Sequence, residues 1–278
     1  MPKIIVNKKI VLTASPCIYY NDRGYTLGHG IFETILVKQN VIPAMSYHWK
    51  RLETSAPIVG IILPFTFNEL QSMLQTLIVE NNLQDKIAGA RVTITHGESE
   101  RGILPSQTPQ PNFIISVFEH SHTIHHDYSA LIVNIRKNEH TPSSRIKSIS
   151  DLDNILAKQE AIAQGYNEAI LLNTASQIAD GAIFNVFMVK NDEIMTPQIS
   201  DGALPGVIRN ILLNEFNRDF PILEKSISVQ EIMDADEVFF TNALMGVQSV
   251  SRLNTTTYDT FAIANDLEIM LRDKKNYI

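Results

Sequence analysis

The chain has 278 residues, which is long enough for two compact domains and longer than an average single one. Hydrophobic residues make up 44% of it and charged residues 19%, a composition that excludes intrinsic disorder. The formal net charge of −7 at pH 7 disfavours nucleic acid and acidic membranes as partners, while a local group of arginines can still bind a small anion.

The cysteine content and the hydropathy pattern favour a cytoplasmic protein. Cys17 is the single cysteine, so an internal disulfide cannot form and nothing indicates an oxidising compartment. The N-terminus lacks the basic segment and apolar core of a signal peptide. The longest apolar stretch, residues 58–67, contains Gly60 and Pro64 and is too short to cross a bilayer.

The first part of the chain predicts a smaller α+β domain over residues 1–119. The helix that starts at Thr66 has the clearest signal, because Thr66 and Glu69 fit a capping box and apolar residues then recur at helical spacing. The other predicted elements are strands at residues 4–6, 9–11, 31–37, 91–95 and 113–118, and a helix around residues 48–56.

Residues 120–128 are polar and rich in histidine, and we predict that they link two domains. His120, His122, His125 and His126 offer nitrogen ligands for a metal ion. No cysteine accompanies them, and their spacing does not place them on one helix face. A solvated linker is therefore favoured over a metal site, which needs a fixed scaffold.

The remaining residues, 129–278, predict a larger second domain. A helix is expected over residues 151–164, with Leu152, Ile155, Leu156 and Ala163 on one side. A second helix is expected from Pro205 to Phe216, since proline suits a first helical turn. The other predicted elements are strands at residues 131–135, 169–172, 185–189 and 238–241, one ending at 196–197, and a short helix capped by Ser228. Strands and helices without regular βαβ alternation indicate an α+β protein of two domains.

Several segments interrupt apolar runs with charged residues or glycines. They are residues 22–34 (DRGYTLGHGIFET), 48–52 (HWKRL), 147–161 (KSISDLDNILAKQEA), 180–187 (DGAIFNVF) and 204–209 (LPGVIR). Taken singly, each has a simpler structural interpretation, such as a tight turn or a solvated lysine. In this order they resemble the fold-type IV pyridoxal-phosphate enzymes, the class IV aminotransferase family. The resemblance runs from about residue 3 to about residue 265, and it implies that family's two-domain fold and a homodimer.

The resemblance assigns pyridoxal 5'-phosphate as cofactor and Lys147 as the lysine that binds it covalently. Such a lysine must lose a proton to attack a carbonyl, and it can later move protons on the substrate. Asp180 matches the carboxylate beside the cofactor ring nitrogen, where the family has glutamate. Arg51 matches the phosphate-binding arginine. Further cofactor-binding groups implied by the resemblance are the N–H groups of Val207 and Ile208 at a helix start, and Thr241 and Asn242.

Some positions depart from the family pattern. Besides Asp180, they are Ser150 in place of asparagine, Asp151 after it, His29 in a Gly-His-Gly triplet, and Ala182-Ile183-Phe184 in place of small hydroxyl residues. These departures leave open a pseudoenzyme that binds the cofactor weakly or acts through partners.

The segment TNALMGV at residues 241–247 resembles 4-amino-4-deoxychorismate lyases, which release 4-aminobenzoate and pyruvate for folate synthesis. Arg91 and Arg101 suit a small amino substrate that bears carboxylates, with Asn242 as a further substrate ligand. The sequence therefore favours this lyase. An aminotransferase acting on D- or branched-chain amino acids is the alternative.

Overall fold

The computed structural model describes residues 1–15, 18–121, 127–273 and 277–278. Its strands are β1 (Lys3–Val6), β2 (Lys9–Leu12), β3 (Gly30–Lys38), β4 (Ile87–Thr95), β5 (Asn112–Glu119), β6 (Ser129–Lys137), β7 (Glu168–Asn173), β8 (Ile178–Gly181), β9 (Asn185–Lys190), β10 (Glu193–Thr196), β11 (Ile222–Glu224), β12 (Glu237–Asn242), β13 (Gly246–Ser249), β14 (Arg252–Leu253) and β15 (Thr256–Thr257). Its helices are α1 (Arg23–Leu27), α2 (Met45–Ser55), α3 (Phe67–Glu80), α4 (Leu152–Ala163), α5 (Val207–Ile211), α6 (Val229–Met233) and α7 (Ala262–Asp273).

The chain forms two units. The first comprises Met1–His122 with Ile146–Ser150, and the second comprises Thr123–Arg145 with Asp151–Ile278. The sequence analysis assigned Lys147 to the domain over residues 129–278, but the structure places it in the first unit. The reason is hydrogen bonding to β3: Phe32 N donates to Lys147 O at 2.9 Å, and Ile149 N donates to Gly30 O at 3.1 Å.

The first unit is built on an antiparallel sheet with the strand order β2-β1-β5-β4-β3. Helix α3 begins as predicted, because Thr66 and Glu69 form both hydrogen bonds of a capping box. Its residues Leu70, Leu74 and Leu77 are fully buried in the core beneath the sheet. Helix α1 was not predicted. Asp22 caps it by accepting a hydrogen bond from Gly24 N, and Gly28 ends it with φ of +64°.

The second unit contains two sheets whose strand orders are β11-β10-β9-β12-β13 and β15-β14-β6-β7-β8. They share one apolar core, in which Ile170 and Ile178 from one sheet lie with Val186, Val238 and Phe240 from the other. Together with the first unit, these elements confirm the predicted α+β class. No helix among the described residues is long and apolar enough to cross a bilayer.

Helix α4 lies at the predicted position but buries a different side. Ala157 and Ala161 are buried against β6 and β7, whereas Leu152, Ile155 and Leu156 are exposed. The apolar side that the sequence indicates is therefore the exposed side of the helix. Small alanine side chains let the helix axis approach the sheet closely, a packing that a count of large apolar residues cannot anticipate.

Helix α5 begins at Val207, with Gly206 as its N-cap, so Pro205 precedes the helix and does not start it. Gly206 has an extended backbone, and its N–H donates to Leu204 O at 2.7 Å. Beyond Ile211 the helix continues as a π-helical turn over Leu212–Phe216.

Two features of the sequence fall wholly or partly outside the described residues. Cys17 and the linker histidines His122, His125 and His126 lie there, and with them most of the proposed metal ligands of the linker. Among the described residues, no group of histidine, cysteine and carboxylate side chains has the arrangement of a metal site.

Candidate active site

Lys147 lies in the first unit beside the aromatic ring of Phe32. The short segment that carries it pairs with β3 across Ile31 and Ser148, which fixes its backbone. The Lys147 Nζ atom lies 4.4 Å from the centroid of the Phe32 ring. An ammonium group at this distance over an aromatic face is attracted by the ring, so the sheet itself orients the lysine.

Arg91 contacts the same ring from β4. Its guanidinium carbon lies 3.9 Å from the Phe32 centroid, and its Nε donates to Thr93 Oγ1 at 3.3 Å. Since Lys147 Nζ also lies near this centroid, the Arg91 guanidinium carbon and Lys147 Nζ are within about 8.3 Å of each other. The structure thus brings together the predicted cofactor lysine and one predicted substrate arginine.

Arg51 is buried in an ion pair with Glu33, a residue that the sequence analysis did not single out. Arg51 Nε donates to Glu33 Oε1 at 2.7 Å and Nη2 donates to Oε2 at 2.6 Å, a bidentate pair. His48 Nδ1 lies 2.7 Å from Glu33 Oε2. His48 and Arg51 both reach Glu33 because residues three apart share one face of α2.

The electrostatics of this cluster follow from its burial. Burial alone would raise the pKa of Glu33, but the charge and hydrogen bonds of Arg51, joined by those of His48, lower it to about 2. Burial lowers the pKa of His48, against the opposing effect of Glu33. Glu33 is therefore an ionised carboxylate that holds the Arg51 guanidinium in a fixed orientation.

Arg101, the other predicted substrate arginine, is exposed on a loop. The adjoining backbone is held by Arg23, whose Nη1 donates to Gly102 O at 3.0 Å and whose Nη2 donates to Ile103 O at 2.7 Å. The sequence analysis missed Arg23. Its only signal was a charged residue inside the glycine-rich segment at residues 22–34.

His29, one of the departures from the family pattern, supports Arg23. Arg23 Nε donates to His29 Nδ1 at 3.0 Å, so this nitrogen is an acceptor and Nε2 carries the proton. That Nε2–H donates to Val59 O at 2.7 Å, and the ring stacks on His96 with centroids 4.6 Å apart. The histidine therefore connects Arg23 and the backbone of Val59 through its two ring nitrogens.

Asp180 lies in the second unit, on β8, and is almost fully buried. Its Oδ1 accepts a hydrogen bond from Asn185 Nδ2 at 3.1 Å, and its Oδ2 accepts one from Leu204 N at 2.9 Å. Lys137 Nζ lies 3.5 Å from Oδ2. Burial raises the pKa of Asp180, and the positive charge of Lys137 is the largest opposing effect.

The start of α5 is tied to the same group. Asn185 Nδ2 also donates to Leu204 O at 2.7 Å, which links Asp180 to the segment leading into the helix. A Cβ atom at position 206 would lie 1.8 Å from Asn185 Oδ1, so this close approach requires glycine. Val207 and Ile208 follow as the first helical residues, where N–H groups have no acceptor within the helix.

Thr241 and Asn242 end β12 with different surroundings. The Thr241 hydroxyl is buried and has no hydrogen-bond partner in the described part of the chain. Asn242 Oδ1 closes the following turn by accepting hydrogen bonds from Leu244 N at 3.0 Å and Met245 N at 2.8 Å. The Thr241 oxygen therefore suits a polar ligand, while the Asn242 oxygen has a structural role.

The family model for class IV amino-transferases matches residues 30–253. The chain belongs to this family. It is 28% identical over 258 residues to a D-alanine aminotransferase of Staphylococcus haemolyticus, covering 91% of this chain and 90% of that one. It is 27% identical over 240 residues to the aminodeoxychorismate lyase of Bacillus subtilis, covering 85% and 82%. The structure of a putative 4-amino-4-deoxychorismate lyase from Legionella pneumophila superposes with a TM-score of 0.87 at 29% identity, covering 94% of this chain and 96% of that one.

Class IV aminotransferases depend on pyridoxal phosphate, and this member is accordingly a pyridoxal-phosphate-dependent lyase or aminotransferase. Each unit, taken by itself, contains groups whose chemistry suits this cofactor. Lys147 and Arg51 lie in the first unit, and the buried carboxylate of Asp180 lies in the second. The orphaned hydroxyl of Thr241 and the helix start at Val207 offer hydrogen-bond donors of the kind that phosphate requires.

Proposed function

We propose that this family member is a 4-amino-4-deoxychorismate lyase that releases 4-aminobenzoate and pyruvate, a precursor step of folate synthesis. The observation that carries the proposal is the TNALMGV segment, which resembles the lyases and forms one ordered turn. Asn242 holds that turn through Leu244 and Met245, and Gly246 begins β13 with φ of +67°. The lyase relatives, at 27% and 29% identity, support the same reaction.

Each cofactor-binding residue has a separate proposed role. Lys147 is the covalent attachment point, Asp180 is the partner of the ring nitrogen, and Arg51 binds the phosphate. The Val207 and Ile208 N–H groups and the Thr241 hydroxyl, with Asn242 beside it, complete the phosphate site. Bound pyridoxal phosphate supplies an electron sink for the carbon that carries the substrate amine.

The proton transfers are assigned to Lys147. Its Nζ removes the proton from the carbon bearing the substrate amine, while the enolpyruvyl group leaves and the ring becomes aromatic. The same Nζ then returns a proton to the departing enol carbon. Arg91, held within about 8.3 Å of Lys147 by the Phe32 ring, binds a substrate carboxylate, and Arg101 is the proposed ligand of the second one.

An activity comparison tests the reaction. Purified protein is offered 4-amino-4-deoxychorismate alone, and separately D-alanine or a branched-chain amino acid with a 2-oxo acid. The lyase releases 4-aminobenzoate and pyruvate in equal amounts without any 2-oxo acid present. Amino transfer without release of 4-aminobenzoate would identify an aminotransferase instead, the second candidate, which the D-alanine aminotransferase relative favours.

The remaining alternative, a pseudoenzyme, can be tested by measuring the absorbance of the same purified protein. A functional lysine–cofactor linkage absorbs at about 410–420 nm, a property of the cofactor chemistry. Absence of both this band and any turnover would support the pseudoenzyme.

Arg51→Ala is expected to weaken cofactor binding about ten- to a hundredfold, because a charge-assisted contact to phosphate contributes about 1.5–3 kcal/mol. It also leaves Glu33 buried without its main partner, so the free energy of unfolding should fall by about 3–5 kcal/mol. Cofactor titration and urea unfolding of the same variant measure the two effects.

Lys50→Ala is the matched control, since Lys50 lies on the same helix and pairs with Glu53 at the surface. It should change neither quantity appreciably. An Arg51→Ala protein with unchanged cofactor dissociation would place the phosphate site elsewhere.

We also propose a homodimer, and a cytoplasmic location in keeping with the single cysteine. Helix α4 supports the dimer: Leu152, Ile155 and Leu156 are 63%, 52% and 43% exposed on one helix face, an apolar patch typical of an interface. Ile155→Asp is therefore expected to convert dimers to monomers at micromolar concentration, measured by light scattering. Ile269→Asp, at a 54% exposed position on α7, should leave the mass unchanged. A wild-type monomer would contradict the proposal.

A further inference from the structure

Lys137 ends β6 and reaches the carboxylate of Asp180, although nothing in the sequence linked the two residues. The Nζ–Oδ2 distance is 3.5 Å, and the side chains are only 15% and 5% exposed. An ion pair so far removed from water is weakly screened, so the lysine strongly affects the charge state of the aspartate.

The Asp180 carboxylate is nearly saturated by protein donors. Oδ2 faces both Leu204 N and Lys137, and Oδ1 accepts from Asn185. An ionised carboxylate offers about four acceptor sites. One site on Oδ1 is therefore not used by any residue of the described chain.

Asp180 also needs a cation to remain ionised. Burial is the largest effect on its pKa and raises it, and Lys137 provides the largest opposing effect. Arg209 acts in the same direction, but it forms its own ion pair with Glu224. Lys137 is thus the main charge that balances Asp180 within the second unit.

We propose that Lys137 is a positioning residue for the cofactor: its ammonium group keeps Asp180 an ordered carboxylate with one acceptor site for the protonated ring nitrogen. The inference rests on the role of Asp180 proposed above. Without the lysine, the effect of burial is less opposed and the pKa of Asp180 is raised further. Once the carboxyl takes up a proton, its attraction for the protonated ring is lost.

The first test measures pyridoxal phosphate affinity of the full-length protein between about pH 5.5 and 8.5, as the ratio of the dissociation constants of Lys137→Met and wild type. The ratio cancels the titration of the cofactor's own phosphate. We expect it to rise at least tenfold from the alkaline to the acidic end, because loss of the nearby opposite charge raises the pKa of the Asp180 carboxyl. A ratio that is constant with pH overturns the proposal, even if the variant melts at a lower temperature.

The second test follows the Asp180 carboxyl carbon by NMR in full-length protein without cofactor, assigned by its disappearance in Asp180→Asn. Lys137→Met should raise the titration midpoint of this signal by at least about 1 pH unit. An unmoved midpoint overturns the proposal. A moved midpoint with a constant affinity ratio also overturns the role of Lys137 toward the cofactor, and it locates the cause in the proposed function: the ion pair controls Asp180, but Asp180 is not the ring partner.

Two further lysine variants and a control complete the design. Lys137→Arg should restore the wild-type pH profile, and Lys137→Gln repeats the charge loss should the methionine variant fold poorly. Lys158→Met is the matched control, since Lys158 pairs with the buried carboxylate of Glu168 at 2.7 Å in the same unit. It should leave both the affinity ratio and the Asp180 signal unchanged.

Discussion

Lys147→Ala is expected to abolish both the covalently bound chromophore and turnover while leaving the fold intact. The fold should survive because the substitution leaves the backbone hydrogen bonds of the segment to β3 in place. It removes one cation–aromatic contact with Phe32, which contributes about 0.5–2 kcal/mol. The chemistry is expected to fail because, in the proposed mechanism, Lys147 is both the attachment point and the proton carrier.

Absorbance of the bound cofactor, borohydride reduction followed by mass analysis, and circular dichroism together measure these outcomes. Lys86→Ala serves as the control, because Lys86 lies in the same unit in an exposed ion pair with Glu119. It should retain the chromophore and full turnover. If Lys147→Ala still forms a borohydride-reducible adduct, another lysine binds the cofactor and the assignment is wrong.

Elements with local signals were predictable from the sequence. In the two capping boxes, Thr66 and Ser228 form reciprocal hydrogen bonds with the glutamates three positions later, Glu69 and Glu231. Both helices begin where this pattern indicates. The signal for the strand at residues 31–37 is also local, because β-branched residues favour an extended backbone. The observed strand β3 includes all of these residues.

Contacts between distant residues were not predictable in this way. Glu33 contacts Arg51 and His48 only after β3 and α2 have packed together. The sequence alone does not indicate which residue pairs with which. Lys137 and Asp180 are 43 positions apart, and they meet because β6, β7 and β8 are neighbours in one sheet. The sequence therefore indicated candidate residues for the site, while the charges that control them depended on the fold.

The exposed side of α4 illustrates the same limit for packing. Helical periodicity finds a stripe of large apolar residues and assigns it to the core. Here the core side is formed by Ala157 and Ala161, and the large residues remain exposed. Periodicity in one sequence cannot distinguish a helix side that packs inside the chain from a side that remains on its surface.

Asp180→Asn is expected to reduce turnover by at least about a hundredfold, because in the proposed site it removes the charge that would hold a proton on the cofactor ring nitrogen. Cofactor affinity should fall less, by about tenfold or under, since the phosphate contacts remain. Asparagine keeps the shape but has only one acceptor oxygen, so it loses one of the hydrogen bonds from Asn185 and Leu204 N. That loss should lower the free energy of unfolding by about 1–3 kcal/mol.

The stability of Asp180→Asn should also depend on pH in a defined direction. The pKa of Asp180 is higher in the folded protein than in the unfolded chain. The protonated carboxyl therefore adds to the free energy of unfolding at low pH, and this stabilisation is lost as the pH rises through the folded-state pKa. Asparagine cannot titrate, so the stability difference between wild type and variant should change across that range. Chemical unfolding of cofactor-free protein at a series of pH values measures it.

Two companion variants make the test of Asp180 specific. Asp236→Asn removes a surface carboxylate of the same unit that pairs with Lys190, and it should leave turnover unchanged. Asp180→Glu restores the residue that the family resemblance leads us to expect, and it should be tolerated or raise activity if its longer chain keeps the Asn185 and Leu204 contacts. Near-normal turnover in Asp180→Asn would contradict the assignment, because a ring nitrogen that needs no carboxylate has another partner or none. The match of residues 180–187 to the family, or the proposed catalytic activity itself, would then be wrong.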